Sequence, residues 1–189
     1  MTSGDGGQVV NIAQRLQEMA AQYPYKKAVV APVGTDDAGR ITYAHFTFSQ
    51  LDADSSRLAD GLVKAGISRG TRTILMVRPS LDFFSLVFGL FKAGIVPVVV
   101  DPGMGVDRML NCFAESQPEA FIGIPLAHVL RVARPKFFKN VTTWVTVGTR
   151  WFWGGATLAD IRASGSPNYP MAETERDEIA AILFTRSEE

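Results

Sequence analysis

Several groups of residues in this chain have types or spacings that can carry chemistry. Asp101-Pro102-Gly103-Met104-Gly105 follows an apolar run, and glycines in such a place can bring backbone amides onto a phosphate. The spacing is not Gly-x-Gly-x-x-Gly and no suitable acid follows about 20 residues later, so a strand-to-helix turn is the simpler assignment. His45 and His128 are the only histidines, and neither has a partner at metal-ligand spacing, so each is expected to be a surface or structural residue. Cys112 sits between Leu110 and Phe113 on a helical stretch and is expected to be a small buried hydrophobe rather than a nucleophile. Glu173, Glu175, Asp177 and Glu178 read as solvated charge rather than a paired general acid and base. Trp144, Trp151, Phe152 and Trp153 gather around Gly148. Three consecutive aromatic residues cannot all point inward, so the cluster either packs a core or presents a binding surface.

The elements that must position these residues follow from periodicity. Val10 to Tyr23 has helical spacing at Ile12, Leu16, Met19 and Ala20, and Pro24 ends it. Lys27 to Ala31 is a short predicted strand, Pro32 to Arg40 a loop, and Ile41 to Tyr43 another strand. Thr47 with Gln50 forms a capping box for a helix whose inner face carries Leu51, Ser55, Leu58, Ala59, Leu62 and Ala65, and Gly66 stops it. A strand over Thr71 to Val77 leads to an apolar helix from Leu81 to Ala93. Val96 to Val100 is an unbroken apolar run, suited to a parallel strand buried on both faces. Further strands are predicted at Ala120 to Ile124, Thr142 to Val147 and Glu178 to Thr185. Helices are predicted at Val106 to Glu115, Leu126 to Val132 and Thr157 to Ala163. This alternation predicts an α/β class, a doubly wound, mostly parallel sheet with helices on both faces.

Composition narrows the partners. The 189 residues carry 19 basic and 19 acidic side chains, so no net field attracts nucleic acid or an anionic membrane. A single cysteine excludes an intrachain disulfide and fits a reducing, cytoplasmic setting. The polar first residues, Met1 to Gly7, lack the basic and apolar regions of a signal peptide. Leu81 to Val100 is the most apolar stretch, but Asp82, Lys92, Gly94 and Pro97 interrupt it, so a buried core segment is expected rather than a transmembrane span.

Several motifs carry a resemblance. Thr42-Tyr43, Phe48-Ser49-Gln50-Leu51-Asp52 and Leu90-Phe91-Lys92-Ala93-Gly94-Ile95-Val96-Pro97-Val98 resemble core motifs of the acyl-adenylate-forming, AMP-dependent synthetase/ligase superfamily. Met76-Val77-Arg78-Pro79-Ser80, Val99-Val100-Asp101-Pro102-Gly103, Gln117 to His128 and Trp153-Gly154-Gly155-Ala156-Thr157-Leu158 are similar to the β-lactone synthetase branch of bacterial olefin biosynthesis. The resemblance implies the N-terminal part of the adenylate-forming fold, organised as a flexible segment 1–9, a Rossmann-like portion 10–163, and a linker with its strand over 164–189. It implies activation of a long-chain acyl substrate with ATP and Mg, and it places Thr185 at the start of a phosphate loop. Arg186, Glu188 and Glu189 stand where that loop would have Ser, Ser and Thr, and Arg186 to Glu189 is expected to be a frayed tail. The loop's glycines, a metal-binding glutamate and a catalytic lysine are not matched. The chain alone is therefore expected not to adenylate, and to pair with a partner chain or a second copy if it acts. Fatty-acyl-CoA ligation is the alternative activity.

Overall fold

A computed structural model describes residues 10–185, the side chain of Pro102 excepted. Chain order gives α1 (Gln14–Gln22), β1 (Lys27–Thr35), β2 (Ile41–Thr47), α2 (Phe48–Lys64), β3 (Arg72–Met76), α3 (Leu81–Lys92), β4 (Val96–Val100) and α4 (Val106–Ser116). There follow β5 (Ala120–Gly123), α5 (Pro125–Ala133), β6 (Thr143–Thr146), β7 (Ala156–Thr157), α6 (Leu158–Ser164) and β8 (Ile182–Phe184). Six strands form one sheet in the order β7-β6-β5-β3-β4-β8, and every neighbouring pair is parallel. An antiparallel hairpin of β1 and β2 stands apart as its own two-stranded sheet.

The strands have a period of two, and their alternate residues enter different layers. Leu75, Ile122 and Val145 pack with Leu58, Leu62, Leu86, Leu90 and Ile161, so α2, α3 and α6 cover one face. Ile74, Val98, Val100 and Phe121 pack with Met109, Leu110, Phe113 and Ala127, so α4 and α5 cover the other. The doubly wound arrangement expected from the alternating pattern is the one observed.

Local signals account for most boundaries. Thr47 caps α2 through the Gln50 amide, and the Gln50 side chain returns to the Thr47 amide at 2.9 Å, completing the capping box. Ser80 caps α3 through the Phe83 amide at 3.2 Å. Four expectations are corrected. Helix α1 begins at Gln14 rather than Val10, because Asn11 turns its side chain to the Ala13 amide and to the Phe91 and Ala172 carbonyls. Pro32 to Thr35 is strand rather than loop, because β1 continues its ladder against Tyr43, Thr42 and Ile41. The last strand is only Ile182–Phe184 rather than Glu178 to Thr185, and among the described residues it lies at the edge beside β4. Glu178 is not merely solvated either, since it forms an ion pair with Arg69.

Charged groups lock the α2, α3 and α6 layer. Lys92 has no exposed surface, and its ammonium donates to the Asp52 carbonyl at 2.7 Å, the Asp52 carboxylate at 2.6 Å and Ser56 Oγ at 2.8 Å. Burial lowers the Lys92 pKa, and the bond and charge of Asp52 act in the opposite direction. Arg162 of α6 reaches Asp54 with two bonds, at 2.8 and 3.1 Å, and Asp82 with one at 2.7 Å. The helices also approach closely. A Cβ on Gly61 would lie 2.1 Å from the Ile161 carbonyl oxygen.

Two outcomes follow from this layer. Asp52→Ala removes the one carboxylate that neutralises a buried ammonium, and chemical denaturation should show a loss of about 3 kcal/mol, larger than that of Lys92→Met. Gly61→Ala should cost about 2 kcal/mol by forcing α6 off α2, whereas Gly154→Ala, with nothing near its added methyl, should change stability by less than about 0.5 kcal/mol.

Candidate functional site

The carboxyl ends of β3, β4 and β5 frame the candidate site. The chain runs from β3 to β4 on one side and then to β5 on the other, so the β3–β5 gap is the point where strand order reverses. Ligands of open α/β sheets gather in the crevice outside the strand ends at such a point. A cleft of about 810 Å³ opens at this edge of the sheet. Its walls come from the ends of β3 and β4, from the starts of α3, α4 and α5, and from later turns of α4 and α5, with Met76, Val77, Phe83, Val100, Met109 and Leu130 among them. Arg78 is the only charged residue in the lining, and every other lining residue is apolar.

The loop at Asp101 is a turn, as its spacing implies. The Asp101 carboxylate accepts the Gly103 amide at 2.8 Å and caps a short 3-10 turn over Pro102–Met104. Gly105 has φ +87°, which lets the chain reverse into α4. Thr185 is exposed and immediately follows β8, whose Phe184 carbonyl accepts the Asp101 amide at 3.1 Å. It therefore stands on the same carboxyl edge as the cleft, one strand beyond β4. Arg186, Glu188 and Glu189, expected as a frayed tail, lie outside the described residues, as does the segment 1–9.

His128 is structural rather than superficial. It is fully buried on α5, with Nε2 3.1 Å from the Val145 carbonyl and 3.3 Å from Thr146 Oγ1. Arg131 Nε donates to Nδ1 at 3.4 Å. Trp153 stacks on the imidazole at a centroid distance of 5.1 Å, and its indole N–H donates to Thr146. Loss of solvation pulls the His128 pKa down to about 4, with the nearby Arg131 charge adding to the effect and bonds to the Val145 and Gly123 backbone opposing it. A neutral ring fits these contacts, with Nε2–H donating to Val145 and Nδ1 accepting from Arg131.

The aromatic cluster divides, as three consecutive rings must. Trp153 is core, Trp144 donates to the Gly154 carbonyl at 2.8 Å under the Arg131 guanidinium, and Trp151 and Phe152 are exposed. Cys112 is half-buried, with Sγ 3.9 Å from the Met104 sulfur. His45 is exposed on β2. Among the described residues, no group of three His, Cys, Asp or Glu side chains is placed to hold a metal ion, and no helix is long and apolar enough to cross a membrane.

A second cleft, of about 360 Å³, lies at the opposite edge, among Gly70, Arg72, Ile95 and residues 174–180. Here the Val10 amide donates to the Thr174 carbonyl at 2.8 Å and the Asn11 side chain donates to the Ala172 carbonyl, so the start of the described chain is tied to the segment that leads to β8. This edge carries the bonding of a closure rather than of a site. Sequence reasoning placed the Asp101 turn but missed the cleft, whose residues each looked like ordinary core. The available signal was Arg78 itself, a cation directly after a buried strand.

The sheet order defines an open, doubly wound α/β fold, and residues 16–185 match the family described as AMP-binding enzyme. The chain belongs to that family. It is 48% identical to the olefin β-lactone synthetase of Stenotrophomonas maltophilia over 93% of this chain and 32% of that protein. It is 44% identical to the olefin β-lactone synthetase of Xanthomonas campestris pv. campestris over 96% of this chain and 34% of that one. The chain thus spans about a third of the length of the curated relatives it matches. Its fold is that of a long-chain-fatty-acid-CoA ligase from Archaeoglobus fulgidus, with a TM-score of 0.77 over 94% of this chain and 34% of the other, at 16% identity.

The buried imidazole gives a pH dependence with a defined sign. The unfolded histidine takes up a proton near pH 6.5 and the folded one only near pH 4, so stability present above pH 6.5 is lost as pH falls through that window. Urea unfolding should register about 3 kcal/mol of loss between pH 7 and pH 4, and His128→Gln should remove most of that slope.

Proposed function

We propose that this chain is the N-terminal α/β portion of an ATP-dependent, AMP-forming enzyme that converts a long-chain 3-hydroxy acid into a β-lactone. The observation that carries this reading is the 48% and 44% identity to two olefin β-lactone synthetases along nearly the whole chain. In that reaction a carboxylate oxygen attacks the α-phosphorus of ATP and pyrophosphate leaves. The 3-hydroxyl oxygen of the resulting acyl adenylate then attacks the acyl carbon, loses its proton and expels AMP, closing the four-membered ring.

The described residues supply scaffold and an apolar wall for this chemistry, with Thr185 as the opening residue of the phosphate loop. They do not supply a ligand set for Mg, so no step is assigned to the metal through them. On this reading the chain alone does not adenylate. Among the described residues β8 pairs on one side only, with Leu183 67% exposed, and its outer edge is where further polypeptide of the fold, or a partner chain, adds.

Purified chain mixed with ATP, labelled pyrophosphate and a 2-alkyl-3-hydroxy acid should give no exchange above background. Residues 10–185 exchanged for the matching third of the Stenotrophomonas maltophilia relative should retain β-lactone formation within about tenfold in kcat/KM, a barrier change of about 1.4 kcal/mol. The same exchange into a long-chain-fatty-acid-CoA ligase should lose acyl-CoA formation. Exchange by the chain alone, or a working ligase chimera beside an inert lactone chimera, would contradict the reading.

A further inference from the structure

The cleft at the carboxyl ends of β3, β4 and β5 pairs two properties. Its walls are apolar throughout, and a single guanidinium, that of Arg78, stands in its lining. Among the described residues Arg78 makes no ion pair, whereas Arg40, Arg69 and Arg162 each engage a carboxylate. Arg78 is exposed, so water still reaches it, and no internal acid consumes its charge.

The surrounding helices add to the same sign. Phe83, Val106 and Leu126 belong to the first turns of α3, α4 and α5 and all line the cleft, so three helix amino ends border it. Asp82 and Asp107 are the acids in those turns. Asp82 is engaged by Arg162, and neither contributes to the lining. The volume, about 810 Å³, falls in the range of small-molecule sites, about 300–1,000 Å³. A nucleotide or sugar would find almost no hydrogen-bonding partners on such walls. An amphiphile with a long alkyl chain and one anionic head satisfies both the walls and the cation.

We propose that this cleft binds a long-chain carboxylate, with the alkyl chain along the apolar walls and the carboxylate on Arg78, and that it does so without ATP. The assignment rests on the function proposed above for the kind of acid, and it makes Arg78 the residue that orients the acid's head group. Because neither the phosphate loop nor a metal takes part, the 189-residue chain has all that the binding needs.

The test is a fluorescence titration of the purified chain with cis-parinaric acid, held below its aggregation concentration, followed by displacement with palmitate or 1-hexadecanol. One saturable site is expected, with palmitate displacing the probe far better than the alcohol. Arg78→Ala should weaken probe binding by about tenfold, the size of one lost charge-assisted contact, and should erase the preference for acid over alcohol. Arg78→Lys should recover part of both. Val106→Asp, on an exposed position in the first turn of α4, should abolish binding while leaving the melting profile intact. Equal affinity of wild type and Arg78→Ala, or equal displacement by acid and alcohol on the wild type, would overturn the proposal. So would the absence of a saturable site, which would assign the cleft to polypeptide. Probe binding that depends on Arg78 alongside an inert lactone chimera would sink the functional reading and leave the site standing.

Discussion

The structure depends on one buried charge. An ammonium taken out of water costs several kcal/mol unless every donor finds a partner. Lys92 meets that demand with three acceptors, all from one turn of α2: the Asp52 carbonyl, the Asp52 carboxylate and Ser56. The three contacts are made only when Lys92 of α3 faces the Asp52–Ser56 turn of α2, so the charge ties the two helices together at that register. Arg162 closes the far end by holding Asp54 and Asp82. With α3 pinned at both ends, the turn at Arg78–Ser80 that precedes it has a fixed place on the rim of the sheet.

The two faces of the sheet are built differently, and the difference bears on function. The α2, α3 and α6 face is tied by ion pairs and by helix contacts that admit no side chain at Gly61. The α4 and α5 face is held by apolar packing around Phe113, Phe121 and Phe138, with His128 as a neutral bridge to β6. The cleft opens at the carboxyl edge where the two faces meet, with Leu75, Val77 and Phe83 from the first and Met109, Ala127 and Leu130 from the second.

Much of the fold was legible in the sequence because its signals were local. The capping box at Thr47 and Gln50, the glycine at position 66 and the apolar run Val96–Val100 each act within a few residues, and the elements formed where they pointed. The misreadings came from non-local contacts. Val10 to Ala13 has helical spacing, but Asn11 spends its side chain on Phe91 and Ala172, far away in the chain. Pro32 to Thr35 has loop composition, yet the ladder with β2 carries it as strand. Nothing in Ile182–Phe184 says whether it lies at the centre or edge of the sheet, since that is a property of strand order. The cleft was hidden for the same reason. Met76, Val100, Met109 and Leu130 are far apart in sequence, and each alone reads as core.

Native-state hydrogen exchange on the purified chain tests the central claim, that the Lys92 contacts and the parallel sheet make this third of the family fold a cooperative unit. The amides of Ile74, Val98, Phe121 and Val145 are expected to exchange only through global unfolding, with one shared free energy that falls together in Asp52→Ala. Strands exchanging at separate, lower energies, or an Asp52→Ala profile unchanged from wild type, would contradict it.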